Sequence, residues 1–114
     1  MLKGLGGLAD MAGMMKKAQD MQEKLAKLQE ELATRTVTGE SGAGLVRATA
    51  TAKGELTGLS IDPSIFVASE KEIAEDLILA AVKDAQARAA RLSAEEMARL
   101  TESLGIPAGM KLPF

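Results

Sequence analysis

Neither cysteine nor histidine occurs in these 114 residues, and there is no tryptophan or tyrosine. Without cysteine, disulfides, thiolate chemistry and zinc ribbons are excluded. Without histidine, the usual general base and the commonest metal ligand are missing. Serine, threonine, lysine and the carboxylates remain, with nothing beside them in the sequence to activate them. No enzyme activity, metal, cofactor or small-molecule substrate is therefore expected. The aromatic residues are Phe66 and Phe114 alone, so a core has to be built from Leu, Ile, Val, Met and Ala. Side chains of this kind suit closely approaching elements, and a partner subunit is a direct way to add buried area. No apolar run approaches a membrane span, and Asp10 with several glycines interrupts anything like a secretion signal. A single cytosolic domain over residues 1–114 is expected, with 1–9 and 105–114 as flexible Gly- or Pro-containing tails.

The net charge of −2 argues mildly against a polyanionic partner, but it hides a gradient. Residues 1–27 hold five lysines against three acids, so the remainder is net acidic. From Met11 the apolar residues Met11, Met14, Ala18, Met21, Leu25, Leu28 and Leu32 recur at alternating steps of three and four. That is a heptad seam on a long helix, about 30 Å along its axis. It fits either a helix packed along another helix in a larger dimer or a parallel zipper. The flanking positions (Met15, Gln22 and Gln29; Lys17, Lys24 and Glu31) lack the matched opposite charges by which a zipper selects its partner, which favours the first reading.

The period changes at Thr34. Residues 34–40 (TRTVTGE) are β-branched and alternating, 41–44 (SGAG) are turn chemistry, and 45–52 (LVRATATA) alternate again with Val46, Ala48, Ala50 and Ala52 on one face. A tight turn at 53–55 leads to a third strand, 56–62, with Thr57, Leu59 and Ile61 on one side. Three strands joined by short turns make an antiparallel meander, and its small Ala face suits a helix lying close. A sheet of three strands also has edges that a second subunit would cover. The Gly-rich loop 39–44 faintly resembles a phosphate cradle, but it lacks the Lys-Ser/Thr ending and leads into a strand, so it reads as a hairpin turn. After a turn at 63–66, Ser69 to Glu72 form a capping-box pattern. Glu70, Glu72, Glu75 and Asp76 then crowd the first turns of a second helix, where the macrodipole favours acids without any metal. The wide apolar arc from Ile73 to Leu92 predicts burial on two sides, by sheet and by helix. A second capping pattern at 93–96 predicts a bend or a further helix reaching Leu104, with Gly105 as its stop. The fold class is α+β.

Lys16, Lys17, Lys24 and Lys27 fall within an arc of about 100° beside the seam. They read equally well as a stripe for phosphates or as partners in i,i+4 pairs such as Asp20–Lys24 and Glu23–Lys27. Arg88, Arg91 and Arg99 extend a basic surface on the second helix, with Asp84–Arg88 and Arg91–Glu95 as ordinary ion-pair alternatives.

Several segments together resemble one family: KKAQDMQEKL at 16–25, VTGESGAGLV at 37–46, IDPSIF at 61–66, EDLILAAVKDA at 75–85 and GMKLPF at 109–114. The chain resembles the YbaB/EbfC family of bacterial nucleoid-associated proteins over nearly its whole length and in the same order. The resemblance implies a helix, three strands and C-terminal helices, dimerising into a tweezer-like shape suited to straddling double-stranded DNA at the nucleoid. It also implies DNA contacts from helices at both ends of the chain, which favours the lysines at 16, 17, 24 and 27 as binding residues. Two departures stand out: an Ala/Thr-rich second strand where relatives carry larger β-branched residues, and Lys83 where a small polar residue is expected. No base-reading device is visible, so contacts to phosphates with little sequence preference are expected. The competing reading is a protein-interaction adaptor whose helix docks another helix.

Overall fold

A computed structural model describes residues 2–103, with side chains from residue 10 onward. The first helix, α1, is Leu2–Thr34. It therefore starts well before the seam and takes in the Gly-rich residues at its head. It stops where the β-branched run begins. The Thr34 hydroxyl turns back to donate to the Glu31 carbonyl (3.0 Å), and extended backbone suits the Thr and Val that follow. Three antiparallel strands come next, β1 (Thr36–Ser41), β2 (Val46–Thr51) and β3 (Leu56–Ile61), paired in the order β1-β2-β3. Two short 3-10 turns, Pro63–Ile65 and Ala68–Glu70, lead to the second helix, α2 (Lys71–Ser103).

The β1–β2 hairpin closes through Gly42, Ala43 and Gly44, all at positive φ. Ala43, at φ 57°, is the non-glycine residue among them, held in a left-handed conformation that L-residues adopt at a cost. The meander reading holds, with one change of register. A bulge between Thr49 and Ala50 pairs Leu56 with Ala50, Leu59 with Ala48 and Ile61 with Val46. Leu56 thus shares the apolar face with Leu59 and Ile61, while Thr57 drops out of the ladder and its hydroxyl turns to the Thr49 carbonyl (3.4 Å). A bulge inserts one residue and so reverses the alternation beyond it.

Helix α2 lies across β1 and β2. Val46, Ala48 and Ala50 of the sheet meet Ala81 and Ala85 of the helix, all fully buried, with Ile65 closing one end. The approach is closest at Gly39. A β-carbon there would stand 2.1 Å from the Ala85 nitrogen and 2.6 Å from the Ala81 oxygen, both backbone atoms. Around this contact, the Ser41 hydroxyl donates to the Leu77 carbonyl, and the Glu40 N–H donates to the Asp84 carboxylate (2.9 Å). The outward edge of β1 is thereby tied to α2. β3 receives little of that cover, and Leu59 remains 50% exposed although it faces the helix side of the sheet.

The second helix is continuous for 33 residues, so of the two expectations at Ser93, a bend or a further helix, the separate C-terminal helix is corrected. Glu96 does not reach back to cap Ser93. Its carboxylate instead accepts from Arg35 (3.0 Å) and Arg99 (3.2 Å), and no Gly or Pro interrupts residues 89–103. Likewise Ser69 does not cap α2; it sits within the Ala68–Glu70 turn, for which Val67 is the capping residue without a side-chain bond. Burial on two sides holds along the helix rather than around it. Ala81, Ala85 and Ala89 are buried on the first two-thirds, Leu92, Met97 and Leu100 pack on α1 farther on, and Ile73 stays exposed. The expected helix stop at Gly105 and the tail 105–114 lie outside the described residues.

The α1 contact with α2 uses half of the seam. Leu28 and Leu32 are buried with Ala52 against Leu92, Met97 and Leu100. Met21 and Leu25 are half-buried, and Met11 and Met14 are 62% and 71% exposed. The helices run antiparallel: Arg35 at the end of α1 pairs with Glu96, while Ser103 at the end of α2 reaches Lys24 and Leu28. Each overhangs the small sheet, giving extents of 84 × 23 × 16 Å and a radius of gyration of 21.9 Å, against about 13 Å for a compact chain of this length.

Gly39→Ala should lower unfolding free energy by about 3 kcal/mol, because neither backbone segment can retreat without prising α2 from the sheet. Gly58→Ala, where an added β-carbon would touch nothing closer than 3.8 Å, should change it by less than about 0.5 kcal/mol. Urea denaturation of the two variants beside the parent chain checks the pair.

Candidate nucleic-acid interface

Among the described residues, cations distribute unevenly between pairing and solvent. Arg35 and Arg99 share Glu96, Arg47 pairs with Glu40 (3.3 Å), and Arg88 with Asp84 (3.0 Å). Of the lysines, Lys71 pairs with Glu75 (3.5 Å). Lys16, Lys17, Lys24 and Lys27 are all exposed, and none takes part in an ion pair among the described residues. The Asp20–Lys24 and Glu23–Lys27 pairs that helical spacing allows are not formed. The Asp84–Arg88 alternative is formed, and Arg91 with Glu95 is not.

The antiparallel contact brings three of the candidate cations together. Lys24 and Lys27 from α1 and Arg99 from α2 line one cleft of about 300 Å³, with Glu31, Glu96 and Leu100 among its walls. Lys16 and Lys17 sit farther out, about 10–12 Å beyond Lys24 along the overhanging part of α1. Arg88 and Arg91 stand about 16 and 12 Å back from Arg99 along α2, toward the sheet. The candidates thus form a row along the helices rather than a single cluster, with the cleft at its middle.

Arg35 escaped the sequence reading. Its partner Glu96 is 61 residues away, and no local spacing signals such a pair. The contact matters for the cleft because Glu96, with a side chain 16% exposed, fixes both Arg35 and Arg99. It holds Arg99 in place and also offsets part of its charge. Glu31 and Glu96 temper the cleft further, so its field is weaker than three cations alone would give.

Asp84 anchors the opposite end of this face. The Glu40 N–H that it accepts holds its carboxyl below the ordinary aspartate range, and Arg88 and Arg91 add to the effect. Asp62 is lowered too, by the Ser64 backbone N–H it accepts at 2.8 Å at the start of the Pro63–Ile65 turn.

Residues 6–104 match the model of the YbaB/EbfC DNA-binding family. A nucleoid-associated protein of Methylocella silvestris is 50% identical over 107 residues, which is 94% of this chain and all of that protein. A nucleoid-associated protein of Agrobacterium fabrum is 49% identical over the same length and coverage. The crystal structure of an uncharacterized Helicobacter pylori protein superposes with a TM-score of 0.55 at 24% identity, covering 76% of this chain and 96% of that one. That likeness concerns the fold.

Because the folded pKa of Asp84 is lowered, folding favours its ionised form. Its stabilisation is complete above the unfolded value, near about 3.9, and is lost as pH falls through the lower folded value. Asp84→Asn should therefore lose less stability than the parent when pH is taken from about 5 to about 2. Thermal melts across that range, read as the difference between the two chains, should narrow toward acid pH.

Proposed function

From a chain that belongs to the YbaB/EbfC DNA-binding family, we propose a nucleoid-associated protein that binds double-stranded DNA as a homodimer, through phosphates and with little sequence preference. Residues 1–114 act as one domain in this reading, and no catalysis is assigned to it. The observation that carries it is the set of exposed α1 lysines, Lys16, Lys17, Lys24 and Lys27. Among the described residues they have no carboxylate partners, while four of the five arginines are engaged. A lysine not held by a carboxylate can exchange its counterions for phosphate oxygens. Arg99 joins Lys24 and Lys27 in the cleft, and Arg88 and Arg91 continue the row at its sheet end. Binding that uses so few contacts is modest in affinity and depends on salt.

The homodimer is supported by what the chain leaves open. Leu56 and Leu59 on β3, Phe66 and Val67 in the segment that follows it, and Ile73 and Leu79 on α2 are 45–65% exposed, and Phe66, Val67, Ala74 and Ile78 line a groove of about 390 Å³ between that segment and α2. Among the described residues β3 is also an unpaired sheet edge on that side. Apolar area next to free backbone groups is an arrangement that a second copy can complete and water cannot.

On random duplex DNA, log affinity should fall linearly with log salt, and Lys16→Glu with Lys17→Glu should flatten the slope by about two. An unchanged slope removes the overhanging part of α1 from the DNA surface, and absence of binding by the parent chain at low salt leaves the adaptor reading. In sedimentation at micromolar concentration the parent should run as a dimer, and Leu59→Asp as a folded single chain, since an unpaired charge does not survive burial. A dimeric Leu59→Asp would move the interface elsewhere.

A further inference from the structure

Among the described residues, Glu96 is the carboxylate that two guanidiniums share. Its Oε1 accepts from Arg35 (3.0 Å) and from Arg99 (3.2 Å), so one negative charge meets two positive ones. The two partners are held differently. Arg35 follows the end of α1, its carbonyl accepts from the Ala52 N–H (2.9 Å), and its side chain reaches a residue 61 positions away in sequence. Arg99 stands one turn beyond Glu96 on α2. Its side chain is 75% exposed against 49% for Arg35, and Glu96 is its one ion-pair partner among the described residues. Glu96 and Arg99 both line the cleft with Lys24 and Lys27, whereas Arg35 is not part of its lining.

We propose that Arg99 passes from Glu96 to a duplex phosphate in the cleft while Arg35 keeps Glu96, so that Glu96 is a positioning residue that holds Arg99 ready and sets the cost of its contact. The inference rests on the DNA-binding reading above and says how one of its cations works. Separating an exposed pair three residues apart on a helix takes little free energy, since water and salt already screen it. Stripping both partners from Glu96, 16% exposed, takes far more, because a poorly solvated charge is then left alone. Two guanidiniums on one carboxylate resolve that conflict: the outer one leaves and the inner one stays. No such spare exists at Asp84, whose guanidinium partner is Arg88, or at Glu40, whose partner is Arg47. Lys24 and Lys27, outside any ion pair among the described residues, supply the field that draws a phosphate to this cleft. The planar fork of Arg99 then meets two phosphate oxygens at once, a geometry the lysines lack. The exchange is the rotation of one exposed side chain.

The side-chain N–H resonances of Arg35 and Arg99 in the full chain, assigned through Arg35→Lys and Arg99→Lys, read the exchange directly. Random duplex added at low salt should shift the Arg99 resonance and leave that of Arg35 in place. If the duplex binds and neither resonance moves, or both move alike, the proposal is overturned. If the parent chain binds no duplex, the DNA reading fails by itself, and inorganic pyrophosphate at millimolar concentration decides the exchange by the same two resonances. A shift of Arg99 alone then upholds it for phosphate from another source, and no shift overturns it. In salt titrations on duplex, Arg99→Gln should flatten the slope of log affinity against log salt by about one. Glu96→Gln should keep the parent slope and raise affinity about two- to fivefold at fixed salt, the equivalent of one exposed ion pair that no longer has to break. Its melting temperature should fall, because Arg35 loses its partner. An Arg99→Gln variant that binds like the parent, with Glu96→Gln steepening the slope by about one, means that Arg99 stays on Glu96 and overturns the exchange. A change of melting temperature alone in Glu96→Gln, with binding untouched, overturns it too.

Discussion

The fold depends on how near α2 can come to the sheet. Gly39 lets the α2 backbone settle directly on β1, and Ala48, Ala50, Ala81 and Ala85 supply a contact surface with little side chain between the layers. With no large aromatic residue in that core, dispersion at short range has to replace area. The same closeness brings Ser41 and Glu40 of β1 into hydrogen-bond range of Leu77 and Asp84. Those two bonds fix the helix along the strand, so position and register follow from one steric permission. A helix this close is also narrow in what it covers. It seals β1 and β2 and leaves β3 with its apolar residues half in water.

That geometry explains why the molecule is long. The sheet occupies only part of α2, and the remainder of that helix continues past it to meet α1 at Leu28 and Leu32. Arg35, held by Glu96 and tied to the sheet through its carbonyl to the Ala52 N–H (2.9 Å), sets where α1 leaves. From there α1 projects away from the core on half of its seam. Exposed lysines sit on a stiff arm as a result. A helix of 33 residues is a rod of about 50 Å, and charges on a rod keep their spacing.

Much of this was legible residue by residue. The heptad steps announced α1, the β-branched alternation announced three strands, and the Ala face of β2 announced a helix lying close. The parts that were not legible share a cause: they are set by partners distant in sequence. Gly39 read as the start of a turn because its reason, the backbone of Ala81 and Ala85, lies more than forty residues on. The 93–96 pattern read as a cap because Glu96 has a local use and a distant one, and Arg35 decides between them. The bulge at Thr49 and Ala50 turns the first residues of β3 about, and nothing in an alternating sequence marks which residue will be the extra one. The candidate cations could be placed on two helices from spacing, whereas the separation of paired Arg88 and Arg99 from Arg91 and the lysines, which form no ion pair among the described residues, was a matter of rotamers and distances.

That separation also bears on the net charge of −2, which at first argues against a polyanion. A sum over the chain weighs a carboxylate locked against an arginine equally with one facing water. Here Glu40, Asp84 and Glu96 are taken up by arginines within the molecule, and the α1 lysines face solvent. At physiological salt, fields decay within about 8 Å, so a phosphate near Lys16 or Lys24 responds to those lysines and to Asp20 and Glu23 beside them, and hardly to the acids at the start of α2. Arginine, with its planar fork, suits the fixed internal pairs, and lysine, a mobile and well-hydrated charge, suits contacts whose partner varies along a duplex. One arm of this kind offers too few contacts to hold DNA firmly. In the proposed dimer, two arms joined through the open β3 face would make the second contact intramolecular, raising affinity without any further charge. In the proposed dimer the uncovered strand and the lysines without ion pairs among the described residues would serve one purpose, the first joining the arms and the second meeting the phosphates.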